Sequence, residues 1–165
     1  MKIPSKLALA ALAALVSAGN ARAAGTATAN VAVNATVITS CSITGGSVAF
    51  GNYDPLAAGN VDKQGTISVN CNKGTAFSVT LDQGANGSGA VRNMKGATTG
   101  NTDLLPYELY TDNARGTVWN ATNKMTGTAA NKNTAVPFTV YGRIAAGQDV
   151  QADTYGDTVV ATVTF

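Results

Sequence analysis

The chain has 165 residues, with 11 Lys and Arg against 9 Asp and Glu and no histidine. The missing imidazole excludes histidine-based catalytic triads and zinc–histidine sites from the start. The formal charge of +2 owes three of its basic residues to the first 23 positions, so it makes no case for nucleic-acid binding.

Lys2 and Lys6 form a short basic start, an apolar Leu/Ala run follows from Leu7 to Ala18, and Ala21-Arg22-Ala23 supplies a small-x-small pattern. This layout predicts a secretory signal peptide over residues 1–23, with an apolar run too short to span a bilayer. Cleavage after Ala23 leaves 142 residues with 8 basic and 9 acidic side chains, a net charge of −1. No second apolar run reaches membrane-spanning length, so the expected product is released with no membrane span and no nucleic-acid surface. A chain of that size fits one domain with a real core.

The mature sequence is rich in Thr, Asn, Gly, Ala and Val and shows no sustained apolar recurrence at three and four residues. β-branched residues favour pleated strands and Gly and Asn supply turns, so the fold class expected is all-β. Cys41 and Cys71 are the two cysteines. In an oxidising compartment a lone pair is most simply a disulfide, with two free buried thiols as the alternative. A cysteine metal site would have too few ligands, and no cofactor or metal is expected.

From Gly25 to Val37 the sequence alternates, with Ala27, Ala29, Val31, Val33, Ala35 and Val37 on one face and mostly Thr and Asn on the other. Thirteen residues is long for one strand, which predicts two in tandem, Gly25–Val33 and Val33–Ser40. A short strand is expected at Ser47–Phe50, then Gly65–Cys71 with Ile67, Val69 and Cys71 inward, then Ala76–Leu81 with Phe77, Val79 and Leu81 inward. Gln83–Asp103 reads as loops around a weak hairpin near Val91–Met94. Leu105–Thr111 is a strand whose Pro106 argues for a sheet edge. Thr117–Trp119 is a short strand, Asn120–Thr134 a polar loop, Ala135–Ile144 a strand, and Gly156–Phe165 the last strand. Strands at this spacing predict an immunoglobulin-like sandwich.

No charged residue and no proline occurs between Ala23 and Tyr53 or after Asp157. Soluble β proteins usually guard outer strands with Lys, Pro or bulges, because an open edge recruits other chains. A surplus N-terminal strand and an unguarded last strand ending at Phe165 fit strand donation between subunits. Pairing of both strands within their own domain is the plainer alternative on pattern alone.

Several motifs in order add to this: Val37–Cys41, Val48-Ala49-Phe50-Gly51-Asn52-Tyr53, Thr66–Cys71, Phe77–Gly84, Leu105–Asp112, Val118-Trp119, Val140–Ile144 and Tyr155–Phe165. With this set the chain resembles the spore coat protein U domain family, the fold of subunits in archaic (Csu-type) chaperone–usher pili. The resemblance implies an incomplete immunoglobulin-like β-sandwich, completed by a strand from a periplasmic chaperone and, at an outer-membrane usher, from a neighbouring subunit. It implies a donor segment over residues 24–33 and a pilin domain over 34–165. Ala27, Ala29, Val31 and Val33 would plug the groove. Val159, Ala161, Val163 and Phe165 would form one wall and the chaperone contact, with the Phe165 carboxylate as a handle for basic residues.

The two alanines bury little area, so most of the plug falls to Val31, Val33 and main-chain hydrogen bonds. One domain with a donor segment fits a shaft or adaptor subunit, with identical or related subunits as partners, rather than a tip adhesin. Such a fibre would act at the cell surface in adhesion and biofilm formation, and the chain would not be an enzyme. The alternative is a secreted, self-folding binding or spore-coat-like protein.

Other signals are weaker. Asp149, Asp153 and Asp157 read as solvated strand-end residues, with a weak calcium site as the sharper alternative. Asn34-Ala-Thr36, Asn86-Gly-Ser88 and Asn120-Ala-Thr122 match the glycosylation sequon as chance allows in an Asn/Thr-rich chain. Tyr107, Tyr110 and Trp119 read as core packing before a sugar platform.

Overall fold

The computed structural model describes residues 24–165, and the expected signal peptide over 1–23 lies outside the described residues. Val37–Phe165 forms one compact unit. Among the described residues there are nine strands and no helix: β1 (Cys41–Thr44), β2 (Val61–Cys71), β3 (Ala76–Leu81), β4 (Arg92–Gly96), β5 (Leu104–Tyr110), β6 (Met125–Thr128), β7 (Val136–Ile144), β8 (Tyr155–Gly156) and β9 (Ala161–Thr164). They make a six-stranded sheet in the order β1-β2-β7-β5-β4-β8 and a three-stranded sheet in the order β6-β3-β9. Every strand ladder is antiparallel.

The period-two pattern explains the layering. In β2, β3, β5 and β7 the inward residues Ile67, Val69, Phe77, Val79, Leu81, Leu105, Tyr107, Leu109, Phe138 and Val140 are buried, and their neighbours face outward or lie part-buried. β2 and β7 pair from Val61↔Ile144 to Val69↔Val136 and form the spine of the large sheet. Trp119 is completely buried, packs edge-on to Phe138 and donates its indole N–H to the Val79 carbonyl at 2.9 Å, tying the core to β3 of the small sheet.

Several expectations are corrected. Val33–Ser40 is not a strand; the first ladder starts at Cys41, and Val37 and Ile38 are exposed. Ser47–Phe50 pairs with no strand, since it packs onto glycines of β2 and β7 instead of extending a sheet. The weak hairpin is β4, an integral strand with Arg92, Asn93 and Met94 buried. Thr117–Trp119 reduces to a single bridge, Tyr110↔Val118. The polar loop contains β6. The last strand is broken: β8 pairs with β4 in one sheet and β9 with β3 in the other, so the chain changes sheets between them. Pro106 lies in the half of β5 that pairs only with β4, because the β5–β7 ladder covers Glu108–Tyr110.

Cys41 and Cys71 form a disulfide between directly opposed residues of β1 and β2. β1 has only four residues and pairs on one side, so this bond holds a strand that its hydrogen bonds alone would hold weakly. Replacing both cysteines by serine is expected to cost about 3–4 kcal/mol of stability on the chain-entropy model for a loop of this length. Urea unfolding of wild type and variant measures the loss.

Candidate assembly groove

Among the described residues β1 hydrogen-bonds only to β2, and β9 only to β3, so each presents an unpaired edge. A cleft of about 510 Å³ opens between the walls these strands help form. Its floor is apolar core: Ile67, Leu81, Met94, Tyr107, Leu109 and Val140. Ile43, Val48 and Phe50 line one side, and Val159 and Ala161 the other. An apolar floor flanked by unpaired backbone is what an added β-strand satisfies twice, through main-chain hydrogen bonds and through alternate side chains set into the core.

The Ser47–Phe50 segment reaches the cleft because glycine lies beneath it. A Cβ on Gly142 would stand 2.7 Å from Val48 Cγ1 and 2.8 Å from Phe50 Cζ, and one on Gly65 would stand 2.5 Å from the Ser47 carbonyl oxygen. Any larger residue at either place lifts that side of the cleft off β2 and β7.

The opposite wall is fixed by polar contacts. The Asp82 N–H donates to the Val160 carbonyl at 3.1 Å, the Val160 N–H returns a bond to Asp82 Oδ1 at 2.9 Å, and the Ala85 N–H donates to the Thr158 carbonyl at 3.0 Å. Asp157 Oδ1 accepts from Asn86 N–H at 3.2 Å and Asn86 Nδ2 at 3.0 Å, while Oδ2 accepts from the Tyr107 hydroxyl at 2.8 Å. Gly84 has φ +77°, and a Cβ there would lie 2.0 Å from Asp157 Oδ2, so the turn closes over the carboxylate only as glycine.

Beneath this lock Arg92 is completely buried. Its Nε and Nη2 donate to the Asp82 carbonyl at 2.9 and 2.6 Å, Nη2 also donates to the Trp119 carbonyl at 2.7 Å, and Nη1 pairs with Glu108. Truncating Arg92 would strand Glu108 and two carbonyls, a loss on the order of 3–5 kcal/mol.

Asp157 is therefore not the solvated strand-end residue expected, whereas Asp153 stays on the solvent side but is hydrogen-bonded to the neighbouring loop. Asp153 accepts from Thr98 N–H and Oγ1, both at 2.9 Å, and from Asn101 Nδ2 at 2.7 Å. These bonds, led by Asn101, hold its pKa down at about 2. No group of three or more acidic or sulfur ligands converges on a metal position among the described residues. Trp119 and Tyr107 are core residues, and Tyr110 is half-buried.

Of the expected wall residues, Val159 and Ala161 line the cleft. Val163 is half-buried on the same face of β9 but lies outside the cleft lining, and Phe165 is 55% exposed in a shallow hollow with Ala76, Phe77 and Gly127. Ala27, Ala29, Val31 and Val33 lie outside any strand and are exposed. Sequence reasoning missed the glycine bed and the cleft floor. The floor residues alternate like any buried strand, and only the absence of a covering strand sets them apart.

Burial, with the hydrogen bond to Asp157, pushes the Tyr107 hydroxyl well above its ordinary pKa. A raised pKa means the folded state favours the neutral phenol, so this contribution is intact below about pH 10 and is lost as pH rises beyond it. Asp153 has the opposite sign: its contribution is present above about pH 4 and fades as pH falls toward 2. Thermal melts across pH should show Tyr107→Phe flattening the alkaline limb and Asp153→Asn flattening the acid limb, each leaving the other limb unchanged.

A family model described as "Spore Coat Protein U domain" matches residues 27–162. "Protein U" of Myxococcus xanthus is 42% identical over 173 residues, covering 96% of this chain and 95% of that protein. Among solved structures, the CsuC–CsuE chaperone–tip adhesion subunit pre-assembly complex from archaic chaperone–usher Csu pili of Acinetobacter baumannii matches with a TM-score of 0.57 at 24% identity. That match covers 79% of this chain but only 40% of the other, and it shows a shared fold. The fold is an all-β, incomplete immunoglobulin-like sandwich, open between β1 and β9. The chain belongs to the Spore Coat Protein U domain family.

Proposed function

We propose that this chain is a structural subunit, shaft or adaptor, of a chaperone–usher pilus that polymerises by donor-strand exchange at the cell surface. The observation that carries the reading is the cleft between two unpaired edges, with core side chains as its floor. The floor side chains are only 3–9% exposed; what stays unsatisfied beside them is the backbone of the two strand edges. A strand from another chain pairs with those edges, and the exposed, uncharged, alternating N-terminal segment has the pattern of such a strand. In this reading residues 1–23 direct export, a periplasmic chaperone covers the cleft first, and an usher exchanges it for the next subunit's segment. Adhesion and biofilm formation are the roles such a fibre would serve, and the work of the chain is assembly, not catalysis.

Surface material should run as a ladder of oligomers on gels in cold SDS and collapse to monomer on boiling. Deleting residues 25–33 should abolish the ladder and leave a subunit held by its chaperone; a ladder that survives the deletion overturns the reading.

The family description and the 42% identity to Protein U favour a second reading, a secreted coat-like protein that folds alone. Under it the mature chain, made without partners, is a monomer with a cooperative melt and a dispensable N-terminus. Under the pilus reading the isolated chain is unstable or self-associates.

A further inference from the structure

One motif of the sequence has no part in assembly: Asn86-Gly87-Ser88, which holds the only Asn-Gly pair in the chain. In such a pair the glycine nitrogen can reach the asparagine side chain with no Cβ of its own residue in the way. The fold cannot avoid the pair by changing the glycine. A Cβ on Gly87 would stand 2.5 Å from the Gln83 carbonyl oxygen and 2.9 Å from Gln83 Cβ.

Asn86 is tied by its backbone and its side chain. Its N–H and its Nδ2 both donate to Asp157 Oδ1, at 3.2 and 3.0 Å, and its carbonyl accepts from Asn93 Nδ2 at 3.3 Å. Gly87 is exposed, and among the described residues its N–H donates no hydrogen bond. The nucleophile of an intramolecular attack is therefore open to solvent while the electrophile is held. Asp157 opposes that attack twice. Accepting from Nδ2 favours the intact amide, and a neighbouring negative charge disfavours the oxyanion that forms when the amide carbonyl is attacked.

We propose that Asn86 is a deamidation site that Asp157 keeps closed, and that its conversion loosens the Asp157–Val159 side of the cleft. The Gly87 nitrogen gives its proton to solvent and bonds to Asn86 Cγ. The Cγ–Nδ2 bond then breaks, and Nδ2 leaves as ammonia with a proton taken from water. Water opens the resulting succinimide at either carbonyl, which leaves an aspartate at position 86 or an isoaspartyl link to Gly87.

Either product removes the Nδ2 donor and brings a second carboxylate toward Asp157, where like charges repel. Asp157, Thr158 and Val159 all line the cleft, and the Ala85 N–H beside Asn86 holds the Thr158 carbonyl at 3.0 Å. The modification thus falls on the polar lock of the cleft wall, whatever occupies the cleft. It also runs one way, since ammonia is lost. A chain whose wall opens often would accumulate the mark, and each mark would make the wall open more easily.

Mass spectrometry of the tryptic peptide 74–92 tests this, on the chain as exported by its host and incubated at mildly alkaline pH. Conversion at Asn86 should be slower in the folded chain than in the same chain unfolded in urea. Asp157→Asn should raise the folded rate about tenfold, the order set by losing one charge-assisted hydrogen bond. A folded rate equal to the unfolded one, or an Asp157→Asn rate equal to wild type, overturns the proposal. If Asp157→Asn does not fold, the exchanged pair decides. Asn86→Asp should lower the melting temperature, and Asn86→Asp with Asp157→Asn should restore it. A double variant that melts no higher than Asn86→Asp overturns the charge conflict.

Discussion

The physical constraint behind this structure is a pair of sheet edges, β1 and β9, that no strand of the compact unit pairs with. Two sheets pack face to face, β1 and β9 are free edges among the described residues, and the buried side chains of Ile67, Leu81, Leu109 and Val140 form the floor of the cleft beside them. Hydrophobic burial is the dominant favourable term in folding, and a domain of this size has little stability to spare. The rest of the molecule can be understood as keeping that opening in shape. If the two walls moved together, the cleft itself would close.

Each wall is held by a different kind of interaction. β1 is short and is bonded covalently to β2, while Ser47–Phe50 settles onto Gly65 and Gly142. The β9 side is held by directional polar contacts, with Asp82 and Asp157 reading the backbone of the wall strand and of the turn, and Arg92 tying the Asp82 carbonyl to that of Trp119. Hydrogen-bonded charges in a partly buried place are demanding partners, because losing one leaves the others unsatisfied. That makes the wall rigid in one geometry.

Much of the fold was legible because inward positions repeat every second residue in Ile67-Val69-Cys71, Phe77-Val79-Leu81 and Leu105-Tyr107-Leu109. β4 was not, since Arg92-Asn93-Met94 reads as polar until Glu108, Asp82 and Trp119 arrive from distant sequence to satisfy the guanidinium. β6 was hidden for a related reason: of its two inward positions, Met125 and Gly127, the second has no side chain, and the rings of Phe77 and Phe138 fill its place in the core. The break between β8 and β9 is invisible in a continuous β-branched run, because which sheet a strand joins depends on its partners. The shared face of Val159 and Ala161 was legible as alternating apolar residues, and both line the cleft. The cleft itself was not, because its floor has the same sequence pattern as a floor that is covered.

The Cys41–Cys71 bond also has a mechanical meaning. Tension drawn through residues 24–40 enters the compact unit at β1, an edge strand of four residues that could unzip one hydrogen-bonded pair at a time. The disulfide carries that load past β1 into β2, whose ladder with β7 runs from Val61 to Val69. Force spread along such a ladder must break its bonds together, so the short β1 edge strand is relieved of the pull.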